Sequence, residues 1–212
     1  MIVLYALVPA GDTSPAATAP DGLRVLARGS VAALYDEREE APSTSRQDIL
    51  DFGRVVSDIS KAGPALPVRF GTVVESLGAL GDLLESREAE WQERLATVAG
   101  HVEIVVHAQD AAAPAPTPAA PGSGREYLMS RAAARRHAEA MYDDLTAGLS
   151  AHCRESRRLQ ASEEIRVACL VPAGDTESFL AAVESWAGAQ QGRRVTTTGP
   201  WPPFSFTEKE TG

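Results

Sequence analysis

The chain has few of the side chains that build disulfide scaffolds or metal sites. Among its 212 residues are two cysteines and four histidines. Cys153 and Cys169 are too few for the disulfide framework of a small secreted protein, and no Cys-x-x-Cys or His/Cys metal spacing is present. We therefore expect reduced thiols, as in a cytoplasmic protein, and no metal or other cofactor.

Long hydrophobic runs and an excess of positive charge are also lacking. No apolar run approaches the length of a membrane-spanning helix. The N-terminus MIVLYALVPAGD has neither a basic n-region nor a small-residue cleavage site, so we expect no signal peptide. The net charge is −9, with most of the excess acid in the N-terminal half, which disfavours nucleic-acid binding. A cytoplasmic protein that binds neither membrane nor nucleic acid is predicted.

Catalytic motifs are absent as well. The sequence contains no G-x-G-x-x-G, Walker, G-x-S-x-G or H-E-x-x-H pattern. His152 and Cys153 are adjacent, so on a helix their side chains would point about 100° apart and could not form a catalytic dyad. We predict that the protein is not an enzyme. An enzyme whose site is not visible in the sequence and a small-molecule-sensing module remain the alternatives.

A seven-residue segment, LVPAGDT, occurs twice, at Leu7–Thr13 and at Leu170–Thr176. Each copy follows an apolar run, and Pro-Ala-Gly-Asp supplies turn-forming residues. Each copy is therefore predicted to end a buried strand. Only the second is followed by a helical pattern, which Thr176 is placed to cap. The residues leave both duplication and coincidence open.

The hydrophobic patterns predict the order of the remaining elements of the N-terminal half. Leu23–Glu37 reads as a hairpin about Gly29. A helix capped by Ser45 follows, then a buried strand in ALPVRFGTVV. One helix is predicted from Ser76 to Gly100, since its apolar residues form a single stripe.

The C-terminal half begins with the predicted strand His101–Ala108. A long helical pattern runs from about Arg125 to Gln160, and a strand, a helix and the strand RRVTTT follow. The fold class is α+β with two domains: an N-terminal α+β domain at 1–98 and a ferredoxin-like (split βαβ) domain at 99–212 with a Pro/aromatic tail. The Ala/Pro-rich stretch at 110–124 is predicted to be a mobile insertion in the second domain.

Two segments combine turn-forming residues with large side chains. ALPVRFGTV places Arg69 in an apolar strand, where it must pair or face a cleft. GPWPPFSF places Trp201, Phe204 and Phe206 among three prolines, as a rigid aromatic strip. The strip either seals the core between the domains or binds a partner, since aromatic side chains dominate interface hot spots.

The blocks LPVRFGTVV, GHVEIVVHA, GREYLMSRAAARR and TGPWPPFSF, in this order, resemble the gas vesicle GvpL/GvpF family, and the opening IVLYALVPA fits it too. The resemblance covers nearly the whole chain and leaves open whether the protein is F-like or L-like. It implies a non-enzymatic accessory protein that meets the major gas vesicle shell protein, and other accessory proteins, during vesicle formation. Our hypothesis for the partner-binding site is Arg69, Phe70, Trp201, Pro203 and Phe204.

Overall fold

The computed structural model describes residues 1–11, 22–110, 124–159, 165–190 and 192–208. By its internal contacts the chain divides into two compact units. Unit 1 comprises Met1–Glu103 and Trp201–Gly212, and unit 2 comprises Ile104–Pro200. The predicted division placed the C-terminal residues with the second half of the chain. They group with unit 1 because two buried side chains of that unit, described below, bind them.

Unit 1 is built on one antiparallel sheet. Its strand order is β2-β3-β1-β4, and β5 also pairs with β1. The elements in chain order are β1 (Ile2–Pro9), β2 (Arg24–Arg28), β3 (Val31–Glu37), α1 (Arg46–Ala62), β4 (Leu66–Pro67), β5 (Val73–Val74), α2 (Leu77–Ser86) and α3 (Glu88–Val98).

Strand β1 is the centre of the unit 1 core, since every side chain from residue 2 to residue 8 is buried. The apolar run IVLYALV produces this pattern, because a strand with both faces covered does not need alternating polar residues. Helix α1 begins at the predicted cap, where Ser45 Oγ accepts a hydrogen bond from the Asp48 amide at 3.1 Å. Its buried face, with Phe52, Val56 and Ile59, belongs to the same core cluster as β1.

The predicted hairpin is confirmed: all five residues of β2 pair with β3, from Arg24 opposite Tyr35 to Arg28 opposite Val31. Gly29 lies in the turn with φ 55°, a conformation that favours glycine, and a Cβ at this position would collide with the Glu88 carboxylate. Glu88 Oε1 accepts hydrogen bonds from both the amide and the hydroxyl of Ser30, each at 2.7 Å. These two bonds lower the pKa of Glu88 and connect the hairpin to the first turn of α3.

Two predictions in unit 1 are wrong in detail. ALPVRFGTVV is not one strand, because a turn separates β4 from β5. The helix predicted from Ser76 to Gly100 is two helices that meet at Arg87, whose φ of −122° and ψ of 17° leave the helical region. The Ser86 hydroxyl donates to the Leu83 carbonyl at 3.0 Å at this break, a local bond that competes with the helical pattern.

Unit 2 has a four-stranded sheet in the order β7-β8-β6-β9. Side chains of both helices of the unit pack with β6 and β8 in one core cluster, which includes Leu145 and Phe179. The elements in chain order are β6 (His101–Asp110), α4 (Gly124–Leu149), β7 (Glu155–Leu159), β8 (Ile165–Pro172), α5 (Thr176–Ala189) and β9 (Arg193–Trp201).

The prediction that the long helix reaches Gln160 is also wrong. Helix α4 ends at Leu149, and β7 occupies residues that were expected to be helical. In β7, Arg157 is buried with two nitrogens on Glu155 Oε1, at 2.8 and 2.6 Å, while the Arg158 guanidinium lies 5.3 Å from the centre of the Tyr142 ring. Except for its two end residues, the insertion predicted at 110–124 lies outside the described residues.

Each copy of LVPAGDT ends a strand, as predicted: β1 ends at Pro9 and β8 ends at Pro172. After Pro172 the chain makes a 3-10 turn at Ala173–Asp175 and enters α5. Thr176 does not cap this helix. It is the first helical residue, and its hydroxyl donates to the Ala173 carbonyl at 3.1 Å.

Candidate functional site

The C-terminal segment of unit 1, Trp201–Phe206, contains the aromatic strip that the sequence singled out. Pro202 and Pro203 restrict its backbone, and a 3-10 turn at Phe204–Phe206 follows. The Phe204 amide donates to the Pro202 carbonyl at 2.7 Å, and the Phe206 amide donates to the Pro203 carbonyl at 3.1 Å. The segment is therefore a defined turn that strongly restricts where its side chains point.

A buried arginine of α3 anchors the end of this segment. Arg94 donates from Nε at 3.0 Å and from Nη2 at 2.8 Å to the Phe206 carbonyl oxygen. Only 7% of Arg94 is exposed, and Phe206 is fully buried. Hydrogen bonds from a charged donor in a buried place are among the stronger polar contacts in a protein, so the end of the turn is firmly held.

A buried glutamate provides a second anchor. Glu103, 4% exposed and near the start of β6, accepts from the Ser205 amide at 2.8 Å through Oε2. Its Oε1 accepts from the Ser205 hydroxyl at 2.7 Å. Both anchors bind the end of the segment, at Ser205 and Phe206.

Two other side chains of the segment are exposed. Trp201 is 51% exposed and Phe204 is 39% exposed, whereas Pro203 and Phe206 are buried. Two large apolar side chains thus lie at the surface on a backbone that buried groups hold in place. Two large exposed apolar side chains on one short segment are typical of an interaction surface.

Arg69 and Phe70, the other two predicted site residues, follow β4. Arg69 is exposed between β4 and β5, so the expectation that it lies in an apolar strand is wrong, and with it the requirement that it pair or face a cleft. Its carbonyl accepts from the Thr72 amide at 3.1 Å and from the Thr72 hydroxyl at 2.6 Å. Phe70 is half-buried and packs edge-on against Phe52, 5.3 Å between ring centres.

The five predicted residues therefore occupy two neighbouring segments of unit 1. Strand β4 contacts the 3-10 turn at Phe204–Phe206, and this brings the two segments together. Within them, Arg69, Trp201 and Phe204 are exposed, whereas Pro203 and Phe70 have buried surfaces.

Sequence reasoning missed the anchors Arg94, Glu103 and Ser205. A usable signal was present for the two charged residues. Arg94 occurs within the apolar stripe of Trp91, Leu95 and Val98, and Glu103 stands in the apolar run HVEIVV. A charged side chain at a position that the pattern buries needs a specific polar partner.

The described residues provide neither a metal site nor a membrane-spanning helix. They contain no group of three or more His, Cys, Asp and Glu side chains that could hold a metal ion. Within the same part of the chain, each helix is too short or too polar to cross a bilayer.

Comparison with known proteins gives one consistent result. The model of the family "Gas vesicle synthesis protein GvpL/GvpF" matches residues 1–208. Two proteins of Streptomyces sp. (strain CB03234) are similar over most of their length. "Gas vesicle protein F" is 25% identical, covering 89% of each chain, and "Gas vesicle protein L" is 29% identical, covering 86% of this chain and 82% of the relative.

Solved structures show the same mixed α/β fold. The gas vesicle protein GvpF of Anabaena sp. PCC7120 superposes with a TM-score of 0.78 at 19% identity, covering 99% of this chain and 96% of the other. GvpF of Microcystis aeruginosa superposes with a TM-score of 0.73 at 16% identity, covering 98% and 99%. The family model, rather than these distant structures, decides the assignment. The chain belongs to the gas vesicle synthesis protein GvpL/GvpF family, and this membership supports a role in gas vesicle formation.

Proposed function

We propose that this chain is a non-enzymatic accessory protein that binds the hydrophobic gas vesicle shell protein and assists nucleation or assembly of the vesicle. The observation that carries the proposal is the pair of exposed aromatic side chains, Trp201 and Phe204, on a segment that Arg94 and Glu103 hold from inside. Family membership supplies the biological process, and the exposed aromatic pair supplies the chemistry.

The physical reason concerns the solubility of the partner. A shell subunit with a large exposed apolar face aggregates unless another protein covers that face. Trp201 and Phe204 offer apolar area on a backbone that is already ordered, so little conformational entropy is lost when a partner binds. Pro203 contributes to this order because its ring fixes φ.

Arg69 and Phe70 have different roles in the proposed site. Arg69 places an exposed positive charge on the segment next to the aromatic pair, and it favours a partner with acidic groups beside the apolar face. Phe70 stabilises the turn between β4 and β5 by packing against Phe52. We propose that other gas vesicle accessory proteins are further partners, and that the protein acts in the cytoplasm, associated with vesicles, without a cofactor.

We further propose that the two units are separate domains and that unit 2 is a ferredoxin-like one. The order β6-α4-β7-β8-α5-β9 supports this proposal, since it repeats a β-α-β unit twice. The sheet order β7-β8-β6-β9 also supports it, because the two middle strands, β6 and β8, are the first strands of the two β-α-β repeats. A pair of α+β domains would give the accessory protein two faces for different partners.

Co-expression with the major gas vesicle shell protein tests the proposal. We expect shell protein to move from the pellet to the soluble fraction and to co-purify with the full chain. In the double variant Trp201→Ala/Phe204→Ala, the co-purified amount should fall at least ~10-fold, as for loss of interface hot spots.

The matched control is Ile49→Ala/Leu50→Ala on α1, because these two side chains are each 46% exposed and equally apolar. The control should retain the shell protein. Shell protein that stays in the pellet beside the unaltered chain would contradict direct binding. Equal loss in the two double variants would contradict the assignment of the site to the C-terminal segment.

A further inference from the structure

Unit 2 contains a small cavity where the chain leaves α4 and enters β7. Its volume is about 280 Å³, and it is lined by residues 151–154 together with Pro172, Asp175 and Ser178. Among the lining groups is the half-buried side chain of Cys153. A space of this size admits a molecule of a few heavy atoms, given that one water occupies about 30 Å³ of liquid.

The second cysteine of the chain is buried in the same unit and does not line the cavity. Cys169, in β8, is fully buried within the core cluster of unit 2, and Cys153 packs against the same cluster. Cys153 Sγ donates to the Leu149 carbonyl at 3.5 Å, and Leu149 belongs to the same cluster as Cys169. The Arg154 amide donates to the Leu170 carbonyl at 2.8 Å, which holds the segment with Cys153 beside β8.

The two thiols differ in what can reach them. Cys153 lines the cavity, whereas Cys169 has no exposed surface. The hydrogen bond from Cys169 lowers the pKa of the Cys153 thiol, against the opposing effect of burial. Since the thiolate is the nucleophilic form, Cys153 is the thiol that reacts first.

We propose that Cys153 and Cys169 form a peroxide-reactive thiol pair, in which a small hydroperoxide enters the cavity, oxidises Cys153, and Cys169 closes an intramolecular disulfide. This is a modification site independent of the surface at Trp201 and Phe204. The two-thiol arrangement, rather than either cysteine alone, is what the packing of unit 2 supplies.

The chemistry balances with hydrogen peroxide as the oxidant. The Cys153 thiolate attacks one peroxide oxygen, the O–O bond breaks, and the departing hydroxide takes up a proton to become water. The product is a sulfenic acid at Cys153. The Cys169 sulfur then attacks the Cys153 sulfur, the S–O bond breaks, and the leaving hydroxide takes the Cys169 proton as a second water. Two thiols lose two electrons, and one peroxide is reduced to two waters.

Closure of the disulfide has a protective consequence. A sulfenic acid that stays open is exposed to further oxidation to the sulfinic acid, which is irreversible in most proteins. Because Cys153 packs against the cluster that contains Cys169, and the Arg154–Leu170 hydrogen bond holds its segment beside β8, the disulfide forms first and a dithiol reductant can restore both thiols.

The test uses the reduced full chain and one equivalent of hydrogen peroxide, followed by N-ethylmaleimide and intact mass measurement. We expect a monomer that has lost two hydrogens and takes up no maleimide, with a Cys153–Cys169 linkage in its peptide map and full reversal by dithiothreitol. In Cys169→Ser the reaction should stop at a sulfenic acid that dimedone traps. In Cys153→Ser the rate of peroxide consumption should fall at least ~10-fold, because the remaining thiol is buried.

Several outcomes would overturn the proposal, and the unaltered chain alone can give three of them. These are two thiols that still take up maleimide after peroxide, a disulfide between two chains, and a persistent dimedone adduct on Cys153 without a disulfide. A fourth is a Cys153→Ser variant that consumes peroxide as fast as the unaltered chain.

Discussion

Two serines of unit 1 each donate two hydrogen bonds to a different glutamate, and the two glutamates differ in burial. Ser205 donates its amide and hydroxyl hydrogens to the buried Glu103, at 2.8 and 2.7 Å. Ser30 donates the same two groups to Glu88, each at 2.7 Å, at a more exposed place in the β2–β3 turn. Ser205 binds both carboxylate oxygens and Ser30 binds only one, but the donors and distances are nearly the same, so the main difference between the two contacts is the burial of the glutamate. A buried polar contact is worth more because losing it leaves groups that water cannot reach.

The two glutamate–serine contacts, which we call the buried clamp (Glu103–Ser205) and the exposed clamp (Glu88–Ser30), also differ in the segment that they hold. Glu88 connects a hairpin that backbone pairing already defines. Glu103 acts together with Arg94 on a short segment of 3-10 turn, which has little backbone pairing of its own. The hydrogen bonds of Glu103 and Arg94 therefore determine the position of Phe204, three residues after the end of β9 at Trp201, whereas those of Glu88 only adjust a stable turn.

The largest loss of stability is expected for the substitution of Phe206, the fully buried side chain next to Ser205. Phe206→Ala should lower the free energy of unfolding by about 3–5 kcal/mol, because a fully buried phenylalanine leaves a cavity. Phe204→Ala, in the same turn but 39% exposed, should cost less than ~1 kcal/mol. Urea unfolding, monitored by tryptophan fluorescence, measures the free energy of unfolding of both variants. Similar losses in the two variants would show that the segment is not held on its Phe206 side.

A somewhat smaller effect is expected for the arginine anchor. Arg94→Met keeps the apolar stem but removes both donors from the Phe206 carbonyl, and it should cost roughly 2–3 kcal/mol. The control is Arg54→Met, whose ion pair with Asp51 at 3.0 Å is exposed, and it should cost under ~0.5 kcal/mol. The same urea titration compares them. Equal midpoints for the two variants would refute the anchoring role of Arg94.

The direct comparison of the two clamps comes next. Glu103→Ala should cost about 2 kcal/mol, because the Ser205 amide and hydroxyl lose their acceptors in a buried place. Glu88→Ala should cost less, since water can replace the carboxylate at Ser30. Hydrogen exchange at the two serine amides is the second readout. A larger loss in Glu88→Ala than in Glu103→Ala would reverse the ranking by burial.

The smallest effect is a pH dependence from the exposed clamp. The hydrogen bonds from Ser30 lower the pKa of Glu88 in the folded chain, so the folded state favours the carboxylate. This stabilisation is fully present above the unfolded pKa of a glutamate, about 4.3, and is lost as pH falls through the lowered folded value. Glu88→Gln should therefore lower the melting temperature at pH 7 more than at pH 3. A difference that does not change between these pH values would contradict the assigned pKa shift.

The sequence predicted local features well where one short stretch contains the whole cause. The turn at Gly29, the cap at Ser45 and the strand ends at Pro9 and Pro172 each depend on neighbours within a few residues. The two strand ends carry the same residues and have the same outcome, which shows how far a local signal reaches.

Predictions failed where distant residues decide the structure. Arg158 belongs to a helical pattern by spacing, yet its strand pairs with β8 and its guanidinium lies over Tyr142. Arg94 and Glu103 stand in apolar patterns, and their partners in the C-terminal segment are about a hundred residues away in the chain. No local pattern specifies such pairs, so the aromatic strip was recognised while the groups that hold it were not.

Site-specific photo-crosslinking tests the central claim most directly. Benzoylphenylalanine placed at position 204 of the full chain, co-expressed with the shell protein and irradiated, should form a covalent adduct with the shell protein. The same group at position 49, which is exposed to a similar degree, should form little or none. An adduct at position 49 and none at position 204 would contradict the account, because the anchored aromatic segment would then not be the surface that meets the shell protein.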